Sequence, residues 1–299
     1  GSKVIGATLY VTMEPCCHFG KTPPCTDAVI RSGVSRVVAA MTDPNPRVCG
    51  GGFFRLAERG IKVETGLCEE AAQWQNEAYV KHIRTGIPFL TLKIAATLDG
   101  RIAARDGTSR WITGSAARVR VHRMRAWNDA VMVGSGTVIA DDPLLTVRDA
   151  AGKDPLRVVL DSRLRTSPDA RVYTPGTIVA AGDDSDPGRA AEFERRGVEV
   201  WRAGTSDGHV DIGGVLKHLG ERGIVWVLCE GGSGIATAVL RHHLADKICF
   251  FIGPKILGDG LQAIGDIGAG TMGSALDLEH VEIEALENDV LVSGYPRYR

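Results

Sequence analysis

Residues 14–25 read Glu14-Pro15-Cys16-Cys17-His18-Phe19-Gly20-Lys21-Thr22-Pro23-Pro24-Cys25. Two Pro-Cys dipeptides frame a short loop whose backbone the prolines stiffen on either side. The residues after Pro24 read as a helix, so Cys25 stands at a helix N-terminus, where the dipole favours the thiolate that zinc requires. Cys16 and Cys25 are therefore the candidate metal ligands. Cys17 and His18 are less favoured because neither follows a proline, and a pair of buried structural cysteines is the plain alternative. A catalytic zinc takes three protein ligands and a water. None of the thirteen residues before Glu14 is a His or a Cys, so the stretch predicts a zinc loop short of its third ligand.

The surrounding pattern alternates. Ala7–Met13, Val34–Ala39 and Ile61–Glu64 read as strands, with helices expected over Thr26–Ser32, Phe53–Arg59 and Glu69–Ile83. That βαβα order predicts a layered α/β unit over residues 1–84. Thr85-Gly86-Ile87-Pro88 then breaks the periodicity, and a second α/β series is expected over 88–299. Its strands are predicted at Phe89–Ala96, Ala130–Val133, Leu156–Leu160, Thr177–Ala181, Val198–Trp201, Ile224–Leu228 and Lys247–Ile252. Helices are predicted at Ser115–Ala126, Gly188–Arg196, Ile212–Arg222 and Gly234–His243, and a hairpin over about Leu276–Val292, turning at Glu287-Asn288-Asp289. A mostly parallel sheet finished by that hairpin is the simplest architecture.

A formal net charge of −1 gives no general attraction to nucleic acid or to a membrane surface. No apolar run is long enough to span a bilayer, and no secretory signal opens the chain. Seven cysteines at irregular spacing suit reduced thiols in a cytoplasm better than a disulfide framework. Gly1-Ser2, without an initiator Met, reads as the leftover of an N-terminal truncation.

In the second series, Thr97-Leu98-Asp99-Gly100-Arg101-Ile102-Ala103 follows the first strand, then Ser109-Arg110-Trp111-Ile112-Thr113-Gly114. Gly134-Ser135-Gly136-Thr137, Asp141-Asp142-Pro143-Leu144-Leu145-Thr146-Val147-Arg148 and Cys229-Glu230-Gly231-Gly232-Ser233-Gly234 come later. The last lies between a strand and a helix, where glycines let the backbone approach a pyrophosphate and helix N–H groups point at the anion. It is not Gly-x-Gly-x-x-Gly, so a dinucleotide fingerprint of that kind is not inferred. Lys93 interrupts an apolar strand. Facing a pocket it would bind or protonate a substrate oxygen; facing solvent it would do neither.

Taken together, Glu14-Pro15-Cys16, His18, Gly20 to Cys25, Asp43-Pro44-Asn45-Pro46 and these later segments resemble the bifunctional riboflavin biosynthesis deaminase/reductase family. The resemblance runs over essentially the whole chain. It implies a truncated cytidine-deaminase-like α/β/α domain followed by a reductase domain of dihydrofolate-reductase-like fold. In zinc deaminases an upstream His-x-Glu supplies the third ligand and the proton-moving Glu. Neither is present here, and the resemblance implies that roughly sixty residues, an ordinary half-domain, are missing. Zinc is then expected to bind weakly or not at all, and deamination to be lost.

The resemblance further implies NADPH-dependent reduction of a phosphoribosylaminopyrimidine, with a homodimer formed through the reductase domains. Carried over residue by residue, Ala95, Trp111, Thr137, Asp141, Ser162, Gly232, Ser233 and Gly234 fall at cofactor positions. Ser109, Arg125, Leu145, Arg148 and Glu230 fall at substrate positions, and Lys93 and Asp141 are the catalytic candidates. A guanidinium fork suits a ribose 5-phosphate, although Arg125 and Arg148 taken singly read as surface charges and Trp111 reads equally as a core aromatic. The rival readings are a zinc-dependent pyrimidine deaminase with a supporting second domain, and a non-catalytic assembly module. His122, His242 and His243 form no metal-ligand spacing, and Cys49, Cys68, Cys229 and Cys249 read as plain thiols.

Overall fold

The computed structural model describes residues 4–20, 22–206 and 208–298. Gly1, Ser2 and Lys21, which figure in the sequence reading, lie outside the described residues. The chain divides into two compact units, Gly1–Gly86 and Ile87–Arg299.

The first unit runs β1 (Thr8–Met13), α1 (Cys25–Ser32), β2 (Arg36–Met41), α2 (Gly51–Ala57), β3 (Lys62–Thr65), α3 (Glu69–Gln75) and α4 (Glu77–Thr85). Its three strands are parallel in the order β1-β2-β3. The central strand is the buried one: Val37, Val38 and Ala39 are enclosed, and Val29, Leu56 and Ile61 pack with Val37. One helix was expected over Glu69–Ile83, and two are found. The break falls at Asn76, whose side-chain amide donates to the Ala72 carbonyl at 2.8 Å and so competes with the helix ladder.

The second unit opens with β4 (Phe89–Thr97), β5 (Arg101–Ala103), α5 (Ser115–Trp127), β6 (Ala130–Gly134), α6 (Ser135–Asp141), β7 (Leu156–Leu160), β8 (Ile178–Ala181), α7 (Pro187–Glu194) and β9 (Glu199–Arg202). A two-residue ribbon, β10 (Thr205–Ser206) with β11 (His209–Val210), leads into α8 (Ile212–Glu221), β12 (Trp226–Cys229), α9 (Ser233–Arg241), β13 (Lys247–Gly253) and β14 (Leu261–Gln262). The hairpin of β15 (Asp277–Leu286) and β16 (Asp289–Arg297) closes the chain.

Nine of these strands form one sheet in the order β15-β16-β13-β4-β12-β6-β7-β8-β9. Pairing is parallel from β13 through β9 and antiparallel from β13 to β16. Parallel strands covered on both faces read as continuous apolar runs, as Val131, Met132, Val133, Val158 and Val159 do here. Two elements were not legible in the sequence. Helix α6 begins Ser-Gly, which are poor helix formers. The β5–β14 ribbon pairs Leu261 with Ala103 and Gln262 with Arg101, 158 and 161 residues apart, through a bulge, and no local pattern announces it.

Candidate active site

Parallel sheets bind ligands beyond the carboxyl ends of their strands. Strands β6, β7 and β12 here end in Gly134-Ser135-Gly136-Thr137, Asp161-Ser162-Arg163 and Glu230-Gly231-Gly232-Ser233. Of these, residues 134–137, Ser162, Arg163, Gly232 and Ser233 line a cavity of about 940 Å³, together with Asp141, Arg165, Gly234 and Arg241. A second cavity of about 580 Å³ takes Lys93 and Ala95 from β4, His122 and Arg125 from α5, and Leu145, Arg148 and Glu230 from loops. Ile102, Ser109, Thr137, Asp141 and Gly232 line both cavities, so the two spaces meet at these residues.

All five expected substrate residues, Ser109, Arg125, Leu145, Arg148 and Glu230, stand around the smaller cavity. Thr137, Asp141, Ser162, Gly232, Ser233 and Gly234 stand around the larger one, whereas Ala95 and Trp111 line the smaller. Trp111 is 59% exposed with the Arg118 guanidinium 4.5 Å from its ring centre, so it is no core aromatic. The Thr137 hydroxyl accepts from the Gly232 N–H at 3.1 Å and ties the two glycine-rich turns together. Ser109 donates to Asp141 at 3.4 Å.

Period-two geometry explains Lys93. Its neighbours Leu92 and Ile94 point into one core, while Lys93 and Ala95 share the face under α5. The Lys93 ammonium lies 4.0 Å from Glu230 and 5.6 Å from the centre of the Phe251 ring. Burial lowers the Lys93 pKa below its ordinary value, and the nearby Arg125 charge adds to that, against the pull of Glu230. Glu230 itself is gripped by Arg125, Nε to Oε1 at 2.6 Å and Nη2 to Oε2 at 2.9 Å. Burial works against this carboxylate, yet the charge and hydrogen bonds of Arg125, with Lys93 behind them, hold its pKa low. The Arg125 fork expected on phosphate is thus turned onto a carboxylate, and its Nη1 donates to the Thr146 carbonyl at 3.1 Å.

A scan of family models matches residues 88–292 to the RibD C-terminal domain and residues 1–41 to the cytidine and deoxycytidylate deaminase zinc-binding region. The riboflavin biosynthesis protein RibD of Aquifex aeolicus is 42% identical to the chain over 302 residues, covering 100% of it and 83% of that protein. The chain belongs to the RibD family of riboflavin biosynthesis. The Acinetobacter baumannii RibD structure superposes with a TM-score of 0.89 at 36% identity, covering 100% of this chain and 83% of that one. A Thermotoga maritima structure, named a diaminohydroxyphosphoribosylaminopyrimidine deaminase/5-amino-6-(5-phosphoribosylamino)uracil reductase, superposes with a TM-score of 0.81 at 37% identity, covering 98% and 80%. The second unit is the RibD reductase domain, built on a mostly parallel sheet.

In the RibD deaminase segment the structure explains Glu14 in a way the sequence did not. Its carboxylate accepts four backbone N–H groups, from Asp43, Gly50, Gly52 and Phe53, at 2.9–3.2 Å. A side chain at Gly52 would strike the Pro15 carbonyl at 2.0 Å, so the loop needs glycine there. Cys16 and Cys25 are brought together, the Cys25 N–H donating to the Cys16 sulfur at 3.3 Å. Cys25 does begin α1, but its thiol is not acidified: the hydrogen bond with Cys16 and burial raise its pKa. Among the described residues no group of three or more His, Cys, Asp and Glu is disposed to hold a metal. Two thiols alone do not make a catalytic zinc site.

The larger cavity does fit a dinucleotide. Helices α6 and α9 start at Gly134 and Gly232 with no side-chain cap, which leaves first-turn N–H groups for an anion. A Cβ at Gly136 or Gly234 would meet nothing within 4 Å, so there is room beside the backbone at both turns.

His122 is the site residue that sequence reasoning missed. It lines the smaller cavity, buried, one helical turn before Arg125 on α5. The i, i+3 spacing of the two residues was the available signal.

Proposed function

We propose that the chain reduces the ribosyl side chain of 5-amino-6-(5-phosphoribosylamino)uracil to the ribityl chain, with NADPH as the reductant. The observation that carries this reading is the meeting of a dinucleotide-sized cavity and a polar cavity at Ser109, Thr137, Asp141 and Gly232. Bound in the larger cavity, NADPH would supply a hydride to C1′ of the opened sugar. Residues Gly134–Thr137 and Gly232–Gly234, with Ser162, would hold its phosphates and ribose by backbone N–H and hydroxyl groups.

The chain's own groups supply orientation and the proton. When the sugar ring opens, O4′ becomes a hydroxyl and needs a proton. We assign that proton to Lys93, which lines the smaller cavity and whose pKa burial depresses. Glu230 works against the lowering of the Lys93 pKa, and Arg125 holds Glu230 in place. Asp141, at the junction of the cavities, orients the sugar with Ser109. Arg148 is exposed at the cavity, its Nη1 resting on the Thr146 hydroxyl at 3.1 Å, and it takes the 5-phosphate. Substrate is thus fixed at its anionic end and at its reacting end.

A homodimer through the reductase domain is supported by the edge strand β15, which exposes Val281 and Ile283. A cytoplasmic site is supported by seven cysteines whose irregular spacing suits reduced thiols. Among the described residues no helix is long and apolar enough to cross a membrane.

The test is NADPH oxidation measured with the uracil substrate and with its 2-amino pyrimidinone precursor. The reading expects oxidation with the first and none with the second. Oxidation with neither would overturn it.

A further inference from the structure

We propose that His122, as a neutral imidazole, is a positioning residue that sets Arg148 for the phosphate of the substrate. This deepens the function proposed above and rests on it for the identity of the anion.

The loop from Asp142 to Asp149 carries two residues in a strained backbone region. Asp142 and Leu145 are both left-handed, at φ +41° and +55°, a region that non-glycine residues occupy only at an energetic cost. Such a loop persists only if its surroundings fasten it. Helix α5 supplies two fasteners one turn apart. Arg125 donates to the Thr146 carbonyl at 3.1 Å, and the Arg148 N–H donates to His122 Nδ1 at 3.1 Å. The second bond acts on the residue that carries the exposed guanidinium.

An Nδ1 that accepts from a backbone N–H carries no proton, so the ring is in its Nε2–H tautomer. That Nε2 lies 3.4 Å from the Asp149 carboxylate, which fixes the ring plane from the other side. The charged groups facing the ring are Arg125, Arg148, Asp149 and Glu230. Burial first, then the two arginines, push the His122 pKa down, which keeps Nδ1 an acceptor at neutral pH. His122 does not touch the reacting atoms: it acts through Arg148.

The experiment is steady-state kinetics of three variants, His122→Leu, His122→Asn and His122→Gln, on the phosphorylated substrate and on its dephosphorylated form. An asparagine oxygen reaches about where Nδ1 stands; a glutamine amide reaches only toward Nε2. His122→Leu and His122→Gln are expected to raise KM for the phosphorylated substrate about tenfold, the worth of one hydrogen bond, with kcat within about twofold. His122→Asn should restore KM, and KM for the dephosphorylated substrate should not move in any variant. Equal losses on both substrates, a loss in kcat alone, or no loss would overturn the inference. If His122→Leu does not fold, the Asn and Gln pair decides it. A wild type that does not prefer the phosphorylated substrate would overturn the phosphate reading itself, and the inference with it.

Discussion

Glu230 and Arg125 form a two-point ion pair, at 2.6 and 2.9 Å, with side chains only 7% and 11% exposed. The pair joins the loop after β12 to α5 and places a carboxylate oxygen 4.0 Å from Lys93. Breaking a buried pair leaves one charge without compensation.

Glu230→Gln should therefore destabilise the second unit by about 3–5 kcal/mol. The double change Glu230→Gln with Arg125→Met should be less damaging than the sum of the two single changes. Urea unfolding of the four proteins of this cycle measures it. Simple additivity would show that the pair is not the unit it looks to be.

Lys93 supplies the pH dependence. Its pKa is depressed by burial below 10.5. A proton donor is active while protonated, so kcat should be full below that pKa and fall as pH rises through it, with the limb below 10.5. Lys93→Met should lower kcat about a hundredfold or more and remove the limb, while leaving NADPH binding intact. A limb that persists in the methionine variant would assign the proton to another group.

At Gly234 stability and binding should separate. An added Cβ meets nothing within 4 Å, and the residue is helical. Gly234→Ala should stabilise α9 by about 0.5–1 kcal/mol. It should also weaken NADPH binding, by filling space that the cofactor needs. A melting curve and a fluorescence titration read the two effects. An unchanged Kd would move the phosphates away from this turn.

Much of this architecture was legible in the sequence, and the limits have physical reasons. Strands β6 and β7 are buried on both faces, so their apolar runs announced them. The zinc-loop cysteines were found from their prolines, and the structure puts them in contact. The helix break at Asn76 was missed because it depends on a side chain bonding its own helix. Arg125 was read as a phosphate fork because its partner, Glu230, lies 105 residues away. His122 looked inert because no metal spacing included it. Its role depends on a backbone N–H 26 residues on, which no pattern encodes.

The two thiols of the first unit make a simple expectation. With Cys16 and Cys25 as the donor set among the described residues, zinc added to this 299-residue polypeptide should not remain bound at one per chain after gel filtration. Elemental analysis measures it. Zinc retained at one per chain, and lost in Cys25→Ser, would reveal a third ligand.

The central claim is hydride delivery to the sugar at the junction of the two cavities. It is tested most directly with NADPH deuterated at C4 and the uracil substrate, followed by mass and NMR analysis of the product. The account predicts a ribityl product carrying a single deuterium at C1′, formed in step with NADPH oxidation and about a hundredfold or more slower in Lys93→Met. Unlabelled product, or an unreduced ribosyl chain after full incubation, would contradict it.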